Sequence, residues 1–277
     1  MEICTFVEPQ NGASYLDQLA FAQATERLGF HGFFRSDHLV AFEGDGLPGP
    51  SESWTVLGGL ARETERIRLG TLVSSATFRH PAVLALQLAN VDEMSGGRAE
   101  LGLGAGWHAR EHEAYGIPFP ARRFDRFAEQ LAIITGLWAT PEGGSFDFAG
   151  EHYRLVHALA IPRPVQDHVP VIVGGGGPSR TPELAARYAS EYNFFAGPGD
   201  DIPARFEIVR DAARAIGRDP EGMRFSVAVS LGHGVPIADA RATVERVRAT
   251  GADRLYLQLL DIRDLGYLER LAGAVLG

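Results

Sequence analysis

What most constrains this chain is an alternation. Short apolar runs rich in β-branched and aromatic residues give way repeatedly to stretches whose apolar residues recur at helical spacing. The runs fall at 2–8, 32–36, 67–74, 98–104, 169–174, 191–195, 224–231 and 254–260. In the first helical stretch Leu16, Leu19, Ala20, Ala24 and Leu28 share a face, with Ser14 a candidate N-cap and Gly29 a stop. Further helical patterns cover 52–64, 81–95, 122–138, 180–189, 203–216, 239–250 and 264–276. Several strands are apolar on both faces, as a parallel sheet covered by helices requires. Eight such units within 277 residues predict an α/β fold, a (β/α)8 TIM barrel. A doubly wound open sheet is the competing arrangement. The step from the fourth to the fifth strand is about twice as long as most others. Segment 139–168 reads there as an insertion between strands 4 and 5, with hairpin-like pieces around Asp147–Gly150 and Pro162–Pro164. One domain over 1–277 is therefore expected.

Composition removes whole classes of function. The formal net charge is −9, and no Lys/Arg-rich run provides the basic footprint of a nucleic-acid or anionic-membrane binder. All 26 basic residues are arginine. Without a lysine, Schiff-base chemistry, pyridoxal-phosphate attachment and Walker-type phosphate binding are excluded. No apolar run reaches the ~18 residues of a membrane span. MEICTFVEPQ carries neither the basic lead nor the cleavage pattern of a signal peptide. Cys4 is the one cysteine, so no internal disulfide forms. The expectation is a cytoplasmic protein acting on a small molecule.

A barrel puts its chemistry at the C-terminal strand ends. Ser36-Asp37-His38 leaves the second strand, and His38 is the residue type whose proton moves near neutral pH. LGLGAGW places Gly102 and Gly104 on one strand face, open to a ligand or to close packing, and does not match the GxGxxG fingerprint. Gly174-Gly175-Gly176-Gly177, then Pro178-Ser179-Arg180-Thr181, follows the fifth strand and opens a helix. Backbone N–H groups freed by glycine and a helix N-terminus favour an anion there. His108 and His112 stand at i, i+4 without the HExxH pattern or a Cys pair, so a polar loop lining the mouth is the preferred reading over zinc. Arg122, Arg123 and Arg126, mixed with Asp125 and Glu129, read as a solvated, ion-paired helix face.

Four blocks now line up in order: SDH, LGTLVSSATFRHPAVLA, LGLGAGWHAREHEAYG and VPVIVGGGGPSRTPELAARYASEYN. Together the chain resembles the luciferase-like monooxygenase superfamily, and within it the branch of coenzyme F420-dependent oxidoreductases. The resemblance implies a barrel with an insertion, a homodimer, and hydride transfer between a deazaflavin and a small organic substrate. It implies His38 as proton donor or acceptor beside the reactive carbon. Asp37 would contact the ring system, and a cis Leu72–Val73 peptide would back it. Gly106, Trp107 and Arg110 would lie around the cofactor side chain. Gly175, Gly176 and Gly177 with Arg180 and Thr181 would cradle its phosphate, and Asn193 would face the site. No metal is implied. Segments 107–121 and 139–168 are expected to close the pocket. Ala76 replaces a proline common in relatives, Ser190-Glu191-Tyr192 replaces an Asp-Gly-Trp type, and Trp107 stands where some sugar-phosphate dehydrogenases carry an acid. With no lysine to hold a substrate phosphate, a sugar phosphate is not expected. The rival readings are an FMN-dependent monooxygenase, a cofactor-binding protein without turnover and a zinc hydrolase.

Overall fold

The computed structural model describes residues 1–276. Its strands are β1 (Glu2–Val7), β2 (Gly32–Arg35), β3 (Arg68–Thr71), β4 (Ser74–Ser75), β5 (Ala99–Gly104), β6 (Ser145–Ala149), β7 (Arg154–Leu159), β8 (Val171–Gly174), β9 (Glu191–Phe195), β10 (Arg224–Ser230) and β11 (Arg254–Leu259). Its helices are α1 (Tyr15–Leu28), α2 (Ser53–Glu63), α3 (Pro81–Ser95), α4 (Ala109–Tyr115), α5 (Arg123–Ala139), α6 (Arg180–Tyr188), α7 (Ile202–Ala215), α8 (Ile237–Arg248) and α9 (Leu265–Val275). The parallel order runs β1, β2, β3, β5, β8, β9, β10, β11. Pairing of Glu2–Val7 with Arg254–Leu259, and of Leu69–Gly70 with Ala99–Glu100, closes the ring. The fold is therefore a (β/α)8 barrel, and closure removes the free edges that an open sheet would leave.

Three local expectations need correction. The third strand does not run unbroken through 67–74: β3 stops at Thr71, the Leu72–Val73 peptide is cis, and the chain pairs again with β5 as β4. Leu72 stays buried through the break, so the apolar pattern passes over it. Residues 109–115 form a short helix where a loop was read. Within 139–168, β6 and β7 pair antiparallel around a turn after Ala149, whereas Pro162 follows a cis bond outside the hairpin. No residue of 139–168 lines the central cavity. The hairpin packs instead against α5, where Gln130 Nε2 donates to the Tyr153 hydroxyl at 2.9 Å.

The N-terminal half of the barrel interior holds charge as well as hydrocarbon. Arg254, fully buried, reaches Glu100 at 2.7 Å and Glu191 at 3.0 Å. Burial pushes the Glu191 carboxyl up from the carboxylate range; Arg254 opposes this and Glu100 reinforces it. Burial acts the same way on Glu100, but Arg254 and Arg68 outweigh it and hold that carboxyl below its ordinary value. Two carboxylates sharing one guanidinium separate in this way. Cys4 lies beside them, fully buried, and burial raises its thiol. Above this layer Phe6, Leu72, Ile172 and Ala228 cluster inside the barrel, and Phe6, Leu72 and Ala228 reach the floor of the site.

Candidate active site

A cavity of about 580 Å³ opens at the C-terminal strand ends. That volume suits a small-molecule site. Its floor is apolar: Phe6, Leu72, Val73 and Ala228 line it. Val73 also answers the question raised by the glycine strand. A Cβ on Gly104 or Gly174 would come within 2.7 or 2.8 Å of a Val73 methyl, and one on Gly102 would strike the Thr71 carbonyl. The strand glycines thus make room for the protein's own third strand. Gly106, at φ 77°, packs on Ser75 and Thr77.

His38 follows β2 and lines the cavity. Its Nδ1 lies 2.5 Å from the Glu111 carboxylate, which α4 carries and which is 1% exposed. Phe42 and Trp107 stand edge-on to the imidazole, with ring centroids 4.6 and 5.6 Å away. A carboxylate on Nδ1 fixes the tautomer and the ring plane, leaving Nε2 as the atom offered to a ligand. Asp37, also in the lining, accepts from Ser53 Oγ at 2.7 Å, from the Ser75 N–H at 3.2 Å and from both terminal nitrogens of Arg79. Its carboxylate therefore ties the second strand end to α2 and to the third strand.

On the other side, β8 runs into Gly175 (φ 142°), Gly176 and Gly177. The buried Thr181 hydroxyl sits beneath this turn, 3.3 Å from where a Cβ on Gly175 or Gly177 would be. No side chain caps α6, whereas Ser14 caps α1 and Asp201 caps α7. The N–H groups of Arg180 and Thr181 have no side-chain cap and can face an anion, whereas Pro182 has no N–H and that of Glu183 bonds the Ser179 carbonyl at 3.0 Å. Asn193 lines the cavity from β9, and its Nδ2 donates to Ser226 at 2.9 Å, which leaves Oδ1 for a ligand.

Leu72, Val73, Gly106, Trp107, Gly175, Gly176, Gly177, Thr181 and Asn193 thus meet His38 and Asp37 around one space. Two others do not. Arg110 lies on the exposed face of α4, outside the lining. Arg180 points to Asp125, 2.7 Å away. Sequence reasoning missed Glu111, whose partner is 73 positions away. It also missed Arg123, assigned to a solvated helix face, which lines the cavity and donates from Nε to the Gly106 carbonyl at 2.9 Å. Phe42, from the loop after β2, contributes to the mouth that segment 139–168 was expected to cover. The zinc reading meets an obstacle: His112 Nδ1 contacts the His108 carbonyl and its Nε2 contacts Thr77 Oγ1. Among the described residues no group of metal-ligating side chains gathers.

The model of the luciferase-like monooxygenase family matches residues 1–272. The chain belongs to that family. An uncharacterized protein of Mycobacterium tuberculosis is 36% identical over 169 residues, which are 61% of this chain and 58% of that one. An F420-dependent glucose-6-phosphate dehydrogenase of Beutenbergia cavernae is 32% identical over 94% of this chain and 76% of its own. The match to the mycobacterial family member thus spans under three fifths of its length. Among solved structures, an F420-dependent secondary alcohol dehydrogenase with an F420–acetone adduct superimposes with a TM-score of 0.83. It covers 99% of this chain and 98% of that one at 18% identity, which bears on the fold alone.

Proposed function

We propose that this family member is a coenzyme F420-dependent oxidoreductase that passes a hydride between the deazaflavin and a small organic substrate. The observation that carries the reading is the pairing, in one cavity, of an uncapped glycine-rich helix entrance with a histidine held by a buried carboxylate. The residues fit the cofactor: the space over Gly176 is open, Thr181 and free N–H groups suit its phosphate, and Leu72–Val73 offers an apolar wall to a planar ring. When bound, the deazaflavin supplies the carbon that gives or takes the hydride.

The chain's own task is orientation and one proton. His38 Nε2 accepts the proton of a substrate hydroxyl as it is oxidised, or returns it in reduction. Glu111 keeps that nitrogen aimed, and Asp37 holds the strand end that carries it. Asn193 Oδ1 would be the acceptor offered to the deazaflavin ring, and Gly106, Trp107 and Arg123 would hold the cofactor side chain. The reading includes a cytoplasmic homodimer: Cys4 is a buried thiol, and Val83, Leu86 and Met94 expose an apolar stripe on α3.

Fluorescence titration of the apoprotein with F420 and with FMN tests this. Micromolar F420 binding with weak flavin binding supports the reading, whereas preference for FMN replaces it with an oxygen-activating monooxygenase. His38→Ala is expected to lower the rate by about 10²- to 10⁴-fold at nearly unchanged F420 affinity.

A further inference from the structure

The cavity is chemically two-ended, and one polar group of its wall has no part in the reaction proposed above. In the strand order β1 stands four positions from β8 in either direction, so it faces the glycine turn across the barrel. At the end of β1 is Glu8, 6% exposed and part of the cavity wall. Its Oε1 accepts from Gln258 Nε2 at 2.6 Å and its Oε2 from Gln10 Nε2 at 2.7 Å. Ser36 Oγ donates to Gln10 Oε1 at 2.9 Å, which fixes that amide with its NH2 group toward Glu8. The carboxylate is thus held in place, yet each oxygen keeps accepting capacity.

No cation pairs with Glu8 among the described residues. Arg35, whose charge reaches it through space, spends its donors on Ser36, Gln18 and Ser51. The one arginine in the cavity wall, Arg123, comes from α5 and is bonded to Gly106 beyond β5. A carboxylate withdrawn from water without a direct ion-pair partner has room for a further donor, and a cation satisfies it best. An anion placed there meets like charge, with the donors of Arg35 and Arg123 already spent on other partners.

We propose that Glu8, flanked by Gln258, is the substrate-selecting subsite of this cavity. It takes a small molecule that presents a hydrogen-bond donor, a protonated amine above all and a hydroxyl next, and it excludes phosphate- and carboxylate-bearing substrates. This rests on the oxidoreductase reading for the word substrate, and it departs from the phosphorylated sugar in the name of the Beutenbergia relative.

Three probes of one shape separate the possibilities: cyclohexylamine, cyclohexanol and cyclohexanecarboxylate. Each is titrated calorimetrically at pH 7.5 into the apoprotein and into the F420-saturated protein. The amine is expected to bind about tenfold more tightly than the alcohol, and the carboxylate more weakly than either. Glu8→Gln, checked for an intact thermal transition, is expected to erase the amine's advantage. Glu8→Asp, which keeps the charge but draws it back by a methylene, is expected to shrink it several-fold, and it carries the test if Glu8→Gln unfolds. Carboxylate binding as tight as amine binding, or an amine advantage unchanged in a folded variant, overturns the proposal. Amine preference without F420 binding sinks the cofactor reading and leaves the subsite standing. F420 binding without amine preference does the reverse.

Discussion

Replacing Glu111 measures how far His38 depends on being held. The pair is well shielded: the histidine side chain is 20% exposed and the carboxylate 1%, so little of the interaction is lost to solvent screening. Hydrogen bonds to a charged group contribute about 1.5–3 kcal/mol and neutral ones about 0.5–1.5 kcal/mol. Glu111→Gln keeps the acceptor and removes the charge, a loss of about 1–1.5 kcal/mol. Glu111→Ala removes the whole contact, about 1.5–3 kcal/mol. At 1.36 kcal/mol per tenfold, hydride transfer should slow about 5- to 10-fold in the first variant and about 10- to 150-fold in the second. Stopped-flow bleaching or recovery of deazaflavin absorbance under single-turnover conditions reads this step directly. F420 affinity should stay within about twofold, because Glu111 acts through His38. Two results would refute the reasoning. One is a folded alanine variant that transfers hydride at the parent's rate. The other is a loss that appears entirely in cofactor affinity.

Two further predictions concern the barrel itself. A methyl group at Gly102 meets the Thr71 backbone carbonyl, which cannot rotate away, so Gly102→Ala should destabilise the fold by about 1–3 kcal/mol or more, read from urea midpoints; an unchanged midpoint would mean the third strand is free to shift. Glu191 has a raised folded value, so its contribution to stability is fully present below the ordinary carboxylate range and is lost as pH rises through that folded value. Glu191→Gln cannot titrate, so the parent's thermal advantage over the variant should narrow as pH rises above the ordinary carboxylate range. A gap that stays constant over that rise would show the carboxyl to be ionised throughout. Glu100, held below its ordinary value, loses its contribution as pH falls, so the comparison is read at and above the ordinary carboxylate range, where Glu100 is ionised.

The sequence by itself determined the local period of this protein. Alternating strand and helix patterns, Ser14 and Gly29 at the ends of α1, and a glycine turn opening α6 are all properties of neighbours along the chain, and all are present. Backbone periodicity is a short-range signal, so it predicted eight units and a barrel. The same signal ran past the stop at Thr71, because Leu72 and Val73 continue an apolar pattern that says nothing of strand pairing. Only the tertiary structure decided which polar residues meet. Glu111 finds His38 from 73 positions away, Gln258 finds Glu8 from 250, and Arg254 finds Glu100 from 154. A carboxylate has the same composition on a solvated helix as under a cavity floor. Closing the ring brings first and last strands together, and that closure, by excluding water from one carboxylate and not another, assigns each its work.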